Sequence, residues 1–278
     1  MMPRQIVEIG EHTGARAIAV ACCDFQQQRE WSHHGERWFH AASTIKLAVL
    51  LGVFAAIEKK RLTEFSPVHV HNRFLSVVDG SPFRVEAERD STPEVHQGIG
   101  KTMQLRELAR HMIATSSNLA TNVLIELVGV EAIQQALHDL GLDLGIDFVR
   151  GVEDMLAWEQ QINNRVTARG LLGALRMIAE ERAISPAASR QMLDILHGQA
   201  FKLGIPAGLP SEARVAHKTG DTSTVAHDAG IIYLPDRAPY VLVILTEWEA
   251  GRSGRERAIA RISRSVYAHI TEAGRDRG

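Results

Sequence analysis

The chain is short of the features that mark disulfide-stapled, membrane-spanning or nucleic-acid-binding proteins. Its 278 residues include two cysteines, Cys22 and Cys23, adjacent in "AIAVACCDF". Neighbours on a strand point to opposite faces, so a bond between these two would be strained and both are expected as free thiols. No apolar run reaches the roughly 20 residues that a bilayer-spanning helix needs, so no membrane span is expected. The opening "MMPRQIVEIGEHTG" has no apolar signal core, which leaves a cytoplasmic protein, or a periplasmic or extracellular one if an export signal precedes this sequence. Lys and Arg number 31 against 33 Asp and Glu, a formal net charge of −2, with neither a basic face nor a polybasic tail. Nucleic acid and anionic membrane are therefore poor partners. A small molecule is the expected one. Repeats and low-complexity tracts are also missing.

What is present divides the chain into ends and middle. "ARAIAVACCDF" (15–25) reads as a strand, with Trp31 to Phe39 as its hairpin partner after "QQQRE" and a helix at Arg4 to Glu11 before it. Three more strands are expected near the other end, at 212–218, 228–235 and 239–248. The "PDRAP" turn makes the last two antiparallel. A final helix from Ser253, its expected cap, carries Ile259, Ile262, Val266 and Ile270 at helical spacing. Residues 43–200 read almost entirely as helices, at 43–60, 104–114, 119–129, 131–140, 168–182 and 186–197. Strands at both termini must share one sheet to hide their edges. The expected fold is therefore α+β: an antiparallel five-stranded sheet built from both chain ends with flanking helices, plus an inserted all-helical lobe. Residues 1–42 with 201–278 form a discontinuous lobe, 43–200 the helical one, and a cleft separates them. Residues 71–102, the longest stretch without periodicity, should border that cleft.

One charge interrupts an apolar helix. In "HAASTIKLAVLLGVFAAIEKK" (40–60), everything from Ile45 to Ile57 is apolar or Gly except Lys46. On a helix starting at Ser43, Ser43 and Lys46 share a face one turn apart. Burial lowers a lysine pKa, and a neutral amine can take the serine proton. The Ser43 N–H, unpaired at the helix start, would face a developing oxyanion. Read alone, the tetrad is equally a helix cap with a snorkelling lysine. Two further pieces carry weight: Ser116, Ser117 and Asn118 in a turn between helices, and Lys218, Thr219 and Gly220 at the end of a strand in "VAHKTGD", with Asp221 next.

In this order the three pieces resemble the Ser-x-x-Lys, Ser-Asp-Asn and Lys-Thr-Gly set of class A β-lactamases and penicillin-binding proteins. The resemblance covers nearly the whole chain, and it implies a roles list. Ser43 would be the acylated nucleophile, Lys46 its base, and Ser116 the relay to the leaving nitrogen. Asn118 would bind a substrate amide, Lys218 and Thr219 the substrate carboxylate, and the Asp221 N–H would complete the oxyanion hole. No cofactor and no metal is implied, and a monomer is expected. The sequence departs from the family at two places. Ser117 stands where the acid is usual, which should alter how the next helix is anchored. No Glu-x-x-Leu-Asn occurs in "FVRGVEDMLAWEQQINNRVTARGLL" (148–172), leaving Glu153, then Glu159 with Asn163, or no residue at all, as the deacylating carboxylate.

The resemblance implies a serine hydrolase, β-lactamase-like in hydrolysing a β-lactam amide. The alternatives are a penicillin-binding D-alanyl peptidase or amidase that deacylates slowly, and a non-hydrolytic module that senses penicillin or peptidoglycan. His69 and His71 have no third ligand at zinc spacing, and His217 and His227 are expected to brace the Lys218 turn.

Overall fold

The computed structural model describes residues 2–275. A five-stranded antiparallel sheet consists of β1 (Ala17–Asp24), β2 (Arg29–His33), β3 (Arg214–Asp221), β4 (Val225–Tyr233) and β5 (Tyr240–Glu247), in the order β3-β4-β5-β1-β2. The two ends of the chain meet where β1 pairs β5, from Ala17 opposite Glu247 to Asp24 opposite Tyr240. Every β1 side chain is buried, because the sheet is covered on both faces. Period-two alternation sends Ala19, Ala21 and Cys23 to one core and Ile18, Val20 and Cys22 to the other. The two cysteines, on opposite faces, are free.

The helices are α1 (Met2–Thr13), α2 (Lys46–Glu58), α3 (Glu94–Gln97), α4 (Leu105–Ala114), α5 (Asn118–Val128), α6 (Val130–Asp139), α7 (Met155–Glu159), α8 (Ala168–Ala179), α9 (Pro186–His197) and α10 (Arg255–Arg275). α1 and α10 cover the outer face: Ile6 and Ile9 join Ile259, Ile262, Val266 and Ile270 over Ile18, Leu242 and Ile244. α10 starts at Arg255, so Gly254, at φ +77, holds the cap position expected for Ser253.

On the inner face, α8 packs across β1, β4 and β5, and α9 packs against β3. Behind them lies α2, buried from Lys46 to Ala56. A helix apolar all round belongs at the centre of a helical cluster, and α4, α5 and α6 surround it. Gly52 is what lets α6 come so near: a Cβ there would lie 2.6 Å from Ile133 Cγ1.

One expectation is corrected. The hairpin strand ends at His33, and Phe39–His40 instead pairs Arg165–Val166 beneath the cleft. The 71–102 segment, which shows no period in the sequence, is built of short elements. It contains the paired strands Phe74–Leu75 and Pro82–Phe83, a 3-10 turn at Ala87–Arg89, and α3. Among the described residues no helix is long and apolar enough to cross a membrane.

Candidate active site

Three distant segments converge at the junction of helices and sheet. Ser43 lies in a 3-10 turn, Ala42–Ile45, that leads into α2, rather than in the α-helix itself. The turn rests on β3: a Cβ on Gly220 would lie 3.1 Å from Thr44 N and 3.2 Å from Ala42 Cβ. A side chain there would be tighter than ordinary contact, and its neighbours would have to give by a few tenths of an ångström. The turn is also held from below. Ala41 N–H donates to Asn164 O at 2.9 Å. Thr246 N–H donates to His227 Nδ1 at 3.1 Å, and His227 Nε2–H donates to His40 O at 2.9 Å. Burial lowers the pKa of both His40 and His227 to about 4, so each ring is neutral, and His40 Nδ1 accepts from Ala42 N–H at 3.1 Å. His227 thus braces the Ser43 turn rather than the Lys218 turn.

Lys46 is completely buried. Its ammonium donates to Ser116 O at 2.5 Å, Ser116 Oγ at 3.1 Å and Asn118 Oδ1 at 2.8 Å. Burial pulls its pKa down to about 7, against the opposing pull of Asp90 and Glu153. Lys218, also fully buried, donates to the same Ser116 Oγ at 3.1 Å and to Thr219 O at 2.8 Å. Burial and then the Lys46 charge hold its pKa well below the usual lysine value, with Asp228 opposing. One hydroxyl therefore joins the two lysines. The expected reach of Lys46 to Ser43 is not made: Lys46 spends its three protons on Ser116 and Asn118. Ser43 lines the cleft with Asn118 and Asp221.

Lys218 to Asp221 are the last residues of β3, as the sequence suggested. Thr222 N–H donates to Val225 O at 3.0 Å, which makes that a hydrogen-bonded pair and the next pair, Asp221 opposite Ala226, a non-hydrogen-bonded one. β3 is an edge strand. The Asp221 N–H consequently points off the sheet edge, toward the side on which the Ser43 turn packs. Its carboxylate is 3.0 Å from Arg255, and burial raises its pKa to about 6.

The turn of Ser116 to Asn118 is anchored by a residue that the sequence reading did not single out. Ser117 caps α5, its Oγ accepting from Ala120 N–H at 3.1 Å. The missing acid is supplied by Asp90, a fully buried carboxylate. It accepts from Ser117 Oγ–H at 2.9 Å, Asn118 N–H at 2.9 Å and Leu119 N–H at 3.1 Å. His96 Nε2 is 3.2 Å away.

Glu153 Oε1 accepts from Asn118 Nδ2 at 2.6 Å. Its neighbours are pinned: Asn122 clamps Val152 through N–H (2.8 Å) and C=O (2.9 Å). Asp154 accepts from Ser76 Oγ at 2.9 Å and Val77 N at 3.0 Å. Arg150 closes the base of the loop on Ile162 O, Gly151 O and Asn163 Oδ1. Glu159 is exposed at the end of α7 and is not among the groups lining the cleft. Ala42, Ser116 and Glu153 all have positive φ, +46, +59 and +61. Strain of that kind persists only where surrounding structure enforces it. Two cavities of about 490 and 450 Å³ meet at Ser43, Arg89, Asn118 and Asp221.

His217 is buried against Asp228, Nδ1 to Oδ1 2.8 Å. His69 and His71 stack with centroids 6.2 Å apart, and among the described residues no cluster of three or more His, Cys, Asp or Glu is placed to hold a metal.

A profile described as the beta-lactamase enzyme family matches residues 3–270. The extended-spectrum beta-lactamase PER-1 of Pseudomonas aeruginosa is 28% identical over 189 residues, 63% of this chain and 59% of that protein. A beta-lactamase of Rhodobacter capsulatus is 23% identical over 272 residues, 96% of this chain and 87% of that protein. Among solved structures, that of PBP-A superposes with a TM-score of 0.82 at 24% identity, covering 98% of this chain and 96% of that one, which shows a common fold.

Proposed function

The chain belongs to the beta-lactamase enzyme family, and on that premise we propose that it is a serine hydrolase that opens a β-lactam amide through a Ser43 acyl-enzyme and then hydrolyses it. One observation carries the reading: the Ser116 hydroxyl, 3.1 Å from both Lys46 and Lys218, links the candidate base to the candidate carboxylate-binding strand.

Ser43 Oγ attacks the amide carbonyl and passes its proton to neutral Lys46. Loss of one Lys46 contact to Ser116 or Asn118 frees the amine lone pair for this step. The tetrahedral oxyanion is stabilised by the N–H groups of Ser43 and Asp221. The proton then travels from Lys46 through Ser116 Oγ to the leaving nitrogen, the C–N bond breaks, and the Ser43 ester remains. Lys218 and the Thr219 hydroxyl hold the substrate carboxylate, and Asn118 binds the acyl-side amide. Glu153 takes a proton from a water that attacks the ester. The tetrahedral intermediate collapses to the acid product as the proton taken by Glu153 returns, through Lys46, to the Ser43 oxygen, so that Glu153, Lys46 and Ser43 all end as they began. The Asn118 contact and the pinned neighbours support Glu153 in this role.

Glu153→Gln tests the hydrolytic half. Single-turnover rates with benzylpenicillin should show deacylation slowed about 10²–10⁴-fold, the usual contribution of a general base, and acylation reduced far less. Equal loss in both steps removes Glu153 from deacylation. A wild-type adduct that persists for hours favours the peptidase-like reading instead.

A further inference from the structure

The charged groups of the first cavity, the one walled by Glu153, can be taken in turn. Glu153 is bonded to Asn118, Asp154 to Ser76 and Val77, and Asp221 to Arg255. Arg150 spends its guanidinium on Ile162 O, Gly151 O and Asn163. His40 is neutral, its pKa lowered by burial to about 4. Arg89 is different. Among the described residues its guanidinium meets no carboxylate, and its one polar contact is Met155 Sδ at 3.9 Å.

Arg89 is nonetheless fixed in place. It ends the 3-10 turn Ala87–Arg89, and the next residue is Asp90, whose buried carboxylate is tied to Ser117, Asn118 and Leu119. The backbone that carries Arg89 is therefore anchored to α5, and the side chain borders both cavities where they meet at Ser43 and Asn118. Two exposed apolar side chains line the same cavity: Met155 and Trp158 are 47% and 41% exposed, and the Trp158 ring meets His40 edge to face at 5.1 Å. An unpaired guanidinium on an anchored backbone, in the same cavity as the Trp158 ring, suits a ligand with an aromatic body and an acidic group. Thr219 lines the second cavity only, and Met155, the residue that Arg89 touches, the first only; with the substrate carboxylate on Lys218 and Thr219, the acyl half would lie in the first cavity, beside Arg89 and Met155.

We propose that Arg89 is a specificity residue that receives a second carboxylate, carried on the acyl side of the substrate. Acyl donors with an acidic aromatic side chain are then preferred over the same donors without the acid. The proposal rests on Ser43 as the acylated nucleophile.

Benzylpenicillin and its α-carboxy derivative differ by one carboxylate and form a matched pair. Acylation rate constants for both are measured on the wild-type chain, Arg89→Gln, Arg89→Lys and Arg89→Glu. For a partly exposed pair the preference for the α-carboxy compound should fall about three- to fivefold in Arg89→Gln. It should largely survive in Arg89→Lys, and drop further in Arg89→Glu. In the wild type, raising salt should shrink it, since an exposed pair is screened. An unchanged ratio in Arg89→Gln and Arg89→Glu overturns the proposal while leaving the acyl-enzyme reading intact. Absence of any adduct with either compound on the wild-type chain overturns both, so the two failures are told apart.

Discussion

Removing the Asp90 carboxylate should damage the site from a distance. That group satisfies two N–H donors in the first turn of α5 and the Ser117 hydroxyl, at 2.9, 3.1 and 2.9 Å. Hydrogen bonds to a buried charge contribute about 1.5–3 kcal/mol each when one partner is deleted, and they are not additive. The negative charge at a helix N-terminus adds about 0.3–1 kcal/mol. Asp90→Ala should therefore cost about 3–4 kcal/mol, or roughly 5–7 °C in Tm. Because the freed N–H groups belong to Asn118 and Leu119, the turn that holds Ser116 should loosen as well. Acylation should then slow even at temperatures where the variant is fully folded. The decisive control moves the acid rather than deleting it. An aspartate at the α5 cap can accept from the N–H groups of Leu119 and Ala120, one of them shared with Asp90, so Asp90→Ala with Ser117→Asp should recover part of the lost Tm and part of the acylation rate. Thermal melts by circular dichroism and stopped-flow acylation read both effects. The reasoning fails if Asp90→Ala melts and acylates like the wild type, or if the double variant is no better than the single one.

Three further outcomes follow from the same geometry. If neutral Lys46 accepts the proton, its pKa, lowered to about 7, makes the acylation rate climb as pH rises through about 7 and level off above it. A rate that is flat or falling from pH 5 to 9 contradicts the assignment. Lys46→Arg keeps a charge that does not ionise in this range, and should cost acylation at least about 10²-fold. Gly220→Ala places a methyl 3.0–3.2 Å from Thr44 and Ala42. It should cost about 1–3 kcal/mol and slow acylation, whereas a variant as stable and fast as the parent would show that the Ser43 turn does not depend on β3.

Much of this arrangement is legible in the sequence, because much of it is local. The strands announce themselves through runs such as Val241 to Leu245, and α10 through Ile259, Ile262, Val266 and Ile270 at helical spacing. The isolated charge of Lys46 in an apolar helix marks the site, and Ser116, Asn118 and Lys218 follow from motif and order. What the sequence hides is long-range or conformational. Asp90 lies in a stretch without periodicity, and nothing in its neighbourhood says that its carboxylate reaches Ser117. The clearest hint was indirect, a serine standing where an acid is usual. Asn122, Asn164 and Arg150 read as ordinary polar residues until their backbone partners are known. The positive φ of Ala42, Ser116 and Glu153 belongs to residues without the propensity that would advertise it. Short pairings such as Phe39–His40 with Arg165–Val166 involve too few residues to leave a period.

The central claim is that Ser43 is acylated and then released, and time-resolved intact mass spectrometry with benzylpenicillin measures both at once. The wild-type chain should gain the mass of one penicilloyl group and lose it again within the experiment, while Ser43→Ala gains nothing. Equal adduct on Ser43→Ala, or a wild-type chain that never gains mass at any concentration, would contradict the account.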